Sequence, residues 1–332
     1  MKLTKQRLLT LALALCMVLS ACLGICSVQV AAQEDISSSD WMKYVDGNTK
    51  LSSVSIPGTH DSCTEFVALR YIFQCQNTGI AAQLENGYRY LDMRLALDGK
   101  GDEQTLILKH NFAKCKSSAS LFSKALSLDD VLKDVYSFLD EHPTETVIMC
   151  MKAENSKDDV AAVQKLLNNA IEAREESWYL ANEIPTLDEV RGKIVLAVRF
   201  EDKLELGEDK CGLRFMWDDQ GDRTVIAEPR AEFAINENAA LVVQDRYNYN
   251  VSDKTDAITL GLEDCPASDE CFFLNFTSTS GSGRVGHPKK YAKSINAFLN
   301  DYDWQDNTCY GVVIVDFATE EIAKNIYSTN FD

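Results

Sequence analysis

The sequence predicts an α/β protein that folds as a single domain, a distorted (β/α)8 barrel of the TIM type. Two observations lead to this prediction: apolar, β-branched runs recur along the chain, and segments with helical periodicity lie between many of them. The eight runs span residues 52–58, 89–97, 105–110, 146–152, 193–199, 240–246, 272–278 and 310–317. We found neither an internal repeat nor a linker that would divide the chain.

Capping signals and apolar spacing predict the helices. Ser127-Leu-Asp-Asp130 and Ser156-Lys-Asp-Asp159 each resemble a capping box followed by apolar residues on one helical face. Further helices are predicted near residues 253–262, 288–300 and 319–328. Residues 98–104, between the second and third strands, are too few for a helix. That connection must return in extended form, so the barrel is expected to be imperfect.

The first 32 residues resemble a secretory signal, which leaves residues 33–332 for the catalytic barrel. A basic start, residues 1–7, precedes an apolar run over residues 8–19. Small residues before Gln33 allow cleavage after Ala32, whereas residues 19–22 resemble a lipobox that would place a lipid on Cys22. The chain stays apolar after Cys22, which favours simple secretion to the extracellular space. No other stretch is apolar enough to span a membrane.

The chain is acidic, with a net charge of −18 and a pI near 4.7. Removal of the leader takes away three cations and no acidic residue, which leaves −21. No cluster of lysine and arginine gathers on one segment. We therefore expect no nucleic-acid partner and no surface that binds purely by attraction to anionic lipid. We expect a monomer.

Eight of the eleven cysteines lie beyond the leader, and an even number in an exported chain permits disulfides. Cys265 and Cys271 enclose a five-residue loop and are the first pair we would join. Free buried thiols are nearly as consistent with the sequence, above all for Cys150 in its apolar run. The chain contains no Cys-x-x-Cys motif, so a zinc ribbon or a thioredoxin-like site is not indicated.

Polar or ionisable residues stand at one end of every predicted strand. In a barrel these are the C-terminal ends, where active sites are built. In chain order they are His60, Asp61, Asp92, Arg94, His110, Lys152, Arg199, Asp245, Thr277 and Asp316.

The order of the strands predicts which of these side chains meet. Strand eight neighbours strand one in a closed barrel, so Asp316 should lie beside His60. Asp61 should point away from His60, because adjacent side chains diverge in extended chain, and should serve another group. Arg94 should lie between His60 and His110, which would stand about 10 Å apart at about 4.8 Å per strand.

Two histidines around a cation suit the acid–base cleavage of a phosphodiester. One histidine takes a proton from the nucleophile and the other gives one to the leaving oxygen, while the cation stabilises the phosphoryl charge. Asp92 lies on the same strand face as Arg94 and is expected to hold it rather than to bind a metal. His142 and His287 are expected to be structural or merely exposed.

Several segments resemble the bacterial phosphatidylinositol-specific phospholipase C family, and they recur in the family's order. They are Ser55-Ile-Pro-Gly-Thr-His-Asp-Ser62, Tyr90-Leu-Asp-Met-Arg94, Ile148-Met-Cys-Met-Lys152, Val243-Gln-Asp-Arg-Tyr247 and Asn275-Phe-Thr-Ser278. The resemblance runs from about Trp41 to the C-terminus. It implies a distorted TIM barrel, which agrees with the strand count.

The resemblance also implies an activity: cleavage of phosphatidylinositol, or of glycosyl-phosphatidylinositol anchors, to diacylglycerol and inositol 1,2-cyclic phosphate. The enzyme would work transiently at a membrane surface and without a metal or another cofactor. His60 would be the general base, oriented by Asp316, and His110 the general acid, assisted by Asp61. Arg94 would stabilise the phosphoryl charge. The inositol ring would be bound by Lys152, Arg199 and Asp245 and would stack on Tyr247.

The chain departs from the family pattern in two places. Asn111 follows His110 where the family often has glycine, and the rim loop over residues 278–288 lacks the tryptophan that related secreted enzymes use for membrane contact. Residues 66–73 are either an interfacial helix or an ordinary amphipathic core helix. Two other functions stay open. One is a glycerophosphodiesterase-like hydrolase, whose metal-binding carboxylates Arg94 would disrupt, and the other is a non-catalytic barrel that binds phosphoinositides or sugars.

Overall fold

The computed structural model describes residues 36–331 except residues 121 and 284, and from Ser37 onward the described chain is one compact unit. The leader and the lipobox at Cys22 lie outside the described residues. The strands are β1 (Ile56–Thr59), β2 (Tyr90–Asp98), β3 (Thr105–His110), β4 (Ala113–Lys114), β5 (Val147–Ala153), β6 (Trp178–Tyr179), β7 (Ile194–Val198), β8 (Leu213–Arg214), β9 (Ala231–Ala234), β10 (Ala240–Gln244), β11 (Cys271–Phe276) and β12 (Val312–Val315).

The helices lie mostly between these strands. They are α1 (Arg70–Phe73), α2 (Ile80–Glu85), α3 (Leu128–Glu141), α4 (Val160–Glu172), α5 (Leu187–Val190), α6 (Val251–Glu263), α7 (Pro288–Asp301) and α8 (Glu320–Tyr327). Ser127 caps α3 by accepting the amide of Asp130, as predicted, whereas α4 begins three residues later than its Ser156 signal, with Asp159 as the cap. None of the helices described here is both long and apolar enough to cross a bilayer.

The strands form a barrel wall that does not close. Parallel neighbours follow the order β7, β5, β2, β1, β12, β11, β10, and β8 adds to β7 in the same direction. β9 pairs antiparallel with the outer edge of β10. Within the described residues no ladder joins β8 to β9 or β10, so the barrel is open on this side. The prediction of a distorted barrel is therefore confirmed, and the C-terminal ends of the parallel strands share one end of the molecule.

The third predicted strand does not belong to the barrel wall. β3 runs antiparallel to β2, with Leu95 opposite Leu108 and Asp98 opposite Thr105, and β5 takes the position beside β2. The reason is the short link over residues 99–104, because a parallel return needs a crossover of a dozen residues or more. Counting residues 105–110 as a barrel strand was wrong, and the two-residue β8, which the sequence did not reveal, completes the set.

Close packing around β1 fixes the centre of the sheet. All four residues of β1 are buried, and a Cβ atom on Gly58 would lie 3.0 Å from Ile314 and 3.1 Å from Tyr90. Glycine therefore lets β1 sit between β12 and β2. The first five residues of β5 and all residues of β7 and β12 are buried, so these strands are covered on both faces, as expected of parallel strands.

The cysteines in the described part of the chain are free thiols. Five are buried and three, Cys265, Cys271 and Cys309, are half-buried. The disulfide that we would have joined first, Cys265–Cys271, is not formed. The Cys265 thiol instead shares a hydrogen bond with Cys309, which raises the pKa of Cys265.

A buried ion pair ties the N-terminal segment to the end of the barrel opposite the strand C-termini. Arg89 and Glu145 are both fully buried, and Nε of Arg89 donates to Oε2 of Glu145 at 2.9 Å. The same guanidinium donates to the carbonyl oxygens of Leu84 and Ser39, among others. Glu145 also accepts the amide of Met42. The pair therefore joins the segment around Met42 to the starts of β2 and β5.

We expect Arg89→Met to lower the free energy of unfolding by about 3–5 kcal/mol, because it leaves Glu145 buried without its countercharge. Urea unfolding followed by circular dichroism measures the change. Arg214→Met is the matched control, since Arg214 and its partner Glu208 are 41% and 60% exposed, and it should cost less than about 1 kcal/mol. If both variants lowered the free energy of unfolding equally, burial would not be what makes the Arg89–Glu145 pair stabilising.

Candidate active site

The predicted site residues gather at the C-terminal ends of the central strands. His60 and Asp61 follow β1, Arg94 lies on β2, and Asp316 follows β12. The amide of His60 donates to the carbonyl of Val315 at 3.0 Å, which continues the ladder between β1 and β12 past its last paired residues. The strand order thus brings His60 and Asp316 together.

Asp316 fixes the orientation of the His60 ring. Nδ1 of His60 lies 2.8 Å from Oδ1 of Asp316, which assigns the proton on that nitrogen and turns Nε2 towards the cleft. Burial of the ring would lower the pKa of His60. The charges of Asp316 and Asp61 outweigh burial and raise this pKa to about 9.

Arg94 is held by three carboxylates. Its Nε lies 3.0 Å from Asp61, its Nη2 2.9 Å from Asp92 and its Nη1 3.6 Å from Glu154. Burial alone would lower the pKa of Arg94, but these carboxylates raise it well above its ordinary value. Nη2 also lies 3.1 Å from Nε2 of His60. The guanidinium is therefore a fixed positive charge beside the proposed base.

Asp61 stands between both histidines and the arginine. Its Oδ2 is 3.3 Å from Nε2 of His60 and 3.4 Å from Nε2 of His110, although no aligned hydrogen bond reaches either carboxylate oxygen. The expectation that Asp61 points away from His60 was wrong. β1 ends at Thr59 and Asp61 has a φ of 43°, so the alternation of an extended strand does not apply. Burial raises the pKa of Asp61, and its cationic neighbours oppose that shift.

His110 approaches His60 more closely than the strand spacing predicted. The two ring centroids are 6.3 Å apart, because β3 folds back over the cleft instead of occupying a place in the wall. Nδ1 of His110 lies 2.8 Å from the carbonyl oxygen of Phe73, which leaves Nε2 facing Asp61. The Cys75 thiol lies 3.8 Å from the same Nδ1 and is fully buried.

The residues proposed for ring binding line the other side of the cleft. Nζ of Lys152 on β5 donates to Glu154 at 2.8 Å, and Nη2 of Arg199 lies 3.8 Å from Oδ2 of Asp245. The hydroxyl of Tyr247 donates to Asp219 at 2.6 Å. Partial burial and Asp219 raise the pKa of Tyr247 to about 12.

Three side chains that the sequence analysis did not select complete the cleft. The Arg199 guanidinium stacks 3.4 Å from the centre of the Trp217 ring, whose Nε1 donates to Asp245 at 3.2 Å. Phe276 contacts both Trp217 and His60, at centroid distances of 5.8 and 6.1 Å, and so joins the two halves of the site. Glu154, which contacts Arg94 and Lys152, is the third.

Possible metal donors overlap with this network. Within the described residues the close sets are His60, Cys75 and Asp316; Asp61, Cys75 and His110; and His60, Asp61 and Asp92. Each set includes groups that are already engaged in the ion pairs above. The Arg94 side chain occupies the space between Asp61 and Asp92 where a divalent cation would need to lie.

Residues 66–73 and the two remaining histidines, His142 and His287, lie outside the ion-pair network. Val67 and Phe73 are buried, whereas Leu69 and Tyr71 are 59% and 71% exposed, so residues 66–73 contain both core and surface apolar side chains. The ring of His287 contacts that of Tyr71 in a tilted arrangement, with centroids 4.4 Å apart. His142 caps the C-terminus of α3 and bonds Asp40 at 2.9 Å, near the buried Arg89 pair and away from the cleft.

Comparison with known proteins shows what this chain is similar to. Residues 51–200 match the family model described as phosphatidylinositol-specific phospholipase C, X domain. A 1-phosphatidylinositol phosphodiesterase from Listeria monocytogenes is 27% identical over 318 residues, which cover 90% of this chain and 87% of that protein. One from Staphylococcus aureus is 26% identical over 288 residues, which cover 80% and 84%.

Solved structures agree in fold. The phosphatidylinositol-specific phospholipase C of Listeria monocytogenes aligns with a TM-score of 0.64 and 25% identity, over 90% of this chain and all of that one. The Staphylococcus aureus enzyme, from a study of its membrane binding, aligns with a TM-score of 0.71 and 23% identity, over 89% and 98% of the two chains. The chain is thus similar to phosphatidylinositol-specific phospholipases C over most of its length, and residues 51–200 match the X-domain model of that family.

Proposed function

We propose that this protein is a phospholipase C that cleaves phosphatidylinositol to diacylglycerol and inositol 1,2-cyclic phosphate. The observation that carries the proposal is a pair of histidines, 6.3 Å apart between ring centroids, that share the Asp61 carboxylate, with the Arg94 guanidinium beside both Asp61 and His60. A phosphodiester bound at Arg94 would lie between a proton acceptor and a proton donor. Acid–base cleavage of a phosphodiester requires this arrangement.

His60 is the proposed general base. In its neutral form Nε2 takes the proton of the inositol 2-hydroxyl while Asp316 stabilises the imidazolium that results. The hydroxyl oxygen then attacks the phosphorus of its own molecule and closes the five-membered cyclic phosphate. Because nucleophile and phosphate belong to one substrate, correct positioning supplies much of the rate.

Arg94 and His110 complete the reaction. The Arg94 guanidinium donates to the non-bridging oxygens as negative charge develops there, and Asp61 and Asp92 hold it in place. Nε2 of His110 delivers a proton to the diacylglycerol oxygen as the phosphorus–oxygen bond breaks. Asp61 lies beside that nitrogen and stabilises the protonated form of His110.

The inositol ring occupies the side of the cleft that contains Lys152, Arg199, Asp245 and Tyr247. Asp245 receives hydrogen bonds from ring hydroxyls, and the two cations donate to hydroxyl oxygens. Trp217 holds both Arg199 and Asp245, so it is a positioning residue for this subsite. A glucosamine on the ring of a glycosyl-anchored lipid is accepted if that edge of the ring faces solvent.

The protein acts on the outside of the cell as a monomer that binds the membrane peripherally and transiently. The support for export is the leader, with its basic start and its apolar run over residues 8–19. Secretion after cleavage at Ala32 and anchoring through a lipid on Cys22 are both compatible with a substrate in a membrane surface. The exposed Leu69 and Tyr71 beside the cleft support contact with that surface.

We expect phosphorus NMR of phosphatidylinositol micelles to show conversion to inositol 1,2-cyclic phosphate, with the same rate in excess EDTA. The reason is that Arg94 supplies the positive charge that a metal would supply in other phosphodiesterases. Loss of activity in EDTA with recovery in calcium would contradict the role of Arg94. A glycerophosphodiesterase would act instead on the deacylated glycerophosphoinositol, and a binding module would bind without turnover.

We expect His60→Ala and His110→Ala each to lower kcat by at least about a hundredfold, the usual scale for general acid–base groups. His142→Ala is the matched control, because His142 also bonds an aspartate but lies away from the cleft, and it should stay near wild type. Release of diacylglycerol from mixed micelles measures all three. A large loss in His142→Ala alone would show that the wrong histidines were chosen.

The pH dependence tests the pair of His60 and Asp316. His60 must be neutral to act as a base and its pKa is raised to about 9, so kcat/KM should rise with pH until that pKa is passed. Asp316→Asn removes a charge that raises this pKa. The rising limb should therefore move to lower pH, and the plateau should fall because the ring is less well oriented.

Asp245→Asn is the control for this experiment, since it alters the ring subsite and not the proposed base. It should lower kcat/KM across the profile without moving the rising limb. A profile for Asp316→Asn that keeps the wild-type midpoint would assign the limb to a group other than His60.

A further inference from the structure

We propose that residues 105–126, which we call the basic hairpin, dock on an anionic lipid surface and hold the cleft against it. This inference rests on the proposed function in one respect, that the substrate of the cleft lies in a membrane. The basic hairpin contains β3, β4 and the chain that returns from them to α3.

The basic hairpin projects past the end of the barrel. β5 pairs with β2 only as far as Leu95, whereas β3 pairs with β2 from Leu95 to Asp98. The last residues of β2 therefore extend beyond the wall, and β3 and β4 extend with them. His110 lies at the base of this projection, so the basic hairpin stands at the mouth of the cleft.

Hydrogen bonds give the basic hairpin a defined shape. The amide of Leu126 donates to Cys115, that of Leu108 donates to Leu126, and that of Ser117 donates to Lys124. The amide of Lys116 donates to the carbonyl of Phe66 at 2.7 Å, which fastens the basic hairpin to residues 66–73. Because the basic hairpin is already structured, it can dock on a bilayer without the entropic cost of ordering the chain.

Large apolar side chains are exposed along this projection. Phe122, at the tip, is 98% exposed, and Phe112, next to His110, is 66% exposed. Phe112 packs edge-on against Phe73 at a centroid distance of 4.8 Å, beside the exposed Leu69 and Tyr71 of the rim. Exposed apolar groups gathered at one place on a soluble surface mark a site of contact with a membrane or another molecule.

Charge favours an anionic lipid surface as the occupant. The basic hairpin contains Lys109, Lys114, Lys116 and Lys124 and no acidic residue, in a chain whose net charge is −18. Lys114 contacts Asp98 and Lys124 contacts Asp130, but both lysines are more than half exposed, so water and salt weaken these pairs. A segment that carries both exposed apolar side chains and lysines matches the interface of an anionic bilayer.

The sequence shows no run of lysines in this segment. The four lysines are spread over 16 residues, and folding sets two of them, Lys109 and Lys114, opposite each other across β3 and β4. Attraction to anionic lipid is therefore combined with apolar contact on one element.

Vesicle sedimentation tests the proposal, with phosphatidylcholine vesicles and with vesicles that contain phosphatidylglycerol. Phosphatidylglycerol is anionic but contains no inositol, so binding to it does not depend on the cleft. Wild type should bind the anionic vesicles at least about tenfold more tightly, and added salt should weaken the binding. Phe122→Ser and the double variant Lys116→Glu/Lys124→Glu should each weaken the binding to anionic vesicles by about tenfold.

Lys43→Glu and Tyr44→Ser are the control variants. They alter exposed residues near the buried Arg89 pair and should have no effect on vesicle binding.

A soluble substrate separates this proposal from the function on which it rests. Hydrolysis of inositol 1,2-cyclic phosphate in solution should stay within about twofold of wild type in Phe122→Ser and in the double lysine variant, which also shows that they fold. Unchanged vesicle binding in these variants, or equal binding of wild type to both kinds of vesicle, would overturn the proposal. If binding depends on the basic hairpin but wild type has no activity on any inositol substrate, the docking surface stands and the proposed function fails. Loss of vesicle binding in the Lys43 and Tyr44 controls would also overturn the proposal.

Discussion

The cleft depends on one largely buried cation, the guanidinium of Arg94, whose side chain is 13% exposed. Removing a charge from water costs several kcal/mol unless partners replace the lost hydration. Here Asp61, Asp92 and Glu154 do so, and each comes from a different part of the barrel end: the turn after β1, β2 itself and the residue after β5. Parallel neighbours in the order β5, β2, β1 are needed to bring these three groups to one point. The charge balance of the site therefore depends on the order of the strands in the wall.

Asp61 is the member of this network with the most strained backbone and the fewest aligned hydrogen bonds to its side chain. It has a left-handed backbone, its carboxylate is buried, and its three charged neighbours lie at ion-pair distances without aligned hydrogen bonds. Strained backbone and unsatisfied polar groups concentrate at functional sites. A bound phosphate would bring negative charge to Arg94. The guanidinium would then interact less strongly with Asp61. The carboxylate would then be free to serve His110, which connects substrate binding to the acid step.

The sequence predicted those parts of the site that depend on regular strands. Period-two alternation placed Asp92 beside Arg94, and the neighbourhood of strands one and eight placed Asp316 beside His60. Prediction failed where the chain leaves regular structure. The left-handed turn at Asp61 reversed its expected direction, and the short link over residues 99–104 removed β3 from the wall. Trp217 and Asp219 lie in an irregular stretch with no periodicity to read, whereas Glu154, two residues after Lys152, could have been found by alternation.

The removal of β3 from the wall has a consequence for how the cleft works. A strand in the wall would have fixed His110 about 10 Å from His60, but the antiparallel return brings the rings to 6.3 Å and carries the next residues out to the rim. His110 and Phe112 therefore stand on the same tight turn, and Phe73 contacts both rings, at 5.2 and 4.8 Å. The chain that would touch lipid is also the chain that carries the proposed general acid. Phe112 and His110 are thus linked both through that turn and through Phe73, whereas His60 and Arg94 belong to the barrel wall and its strand ends.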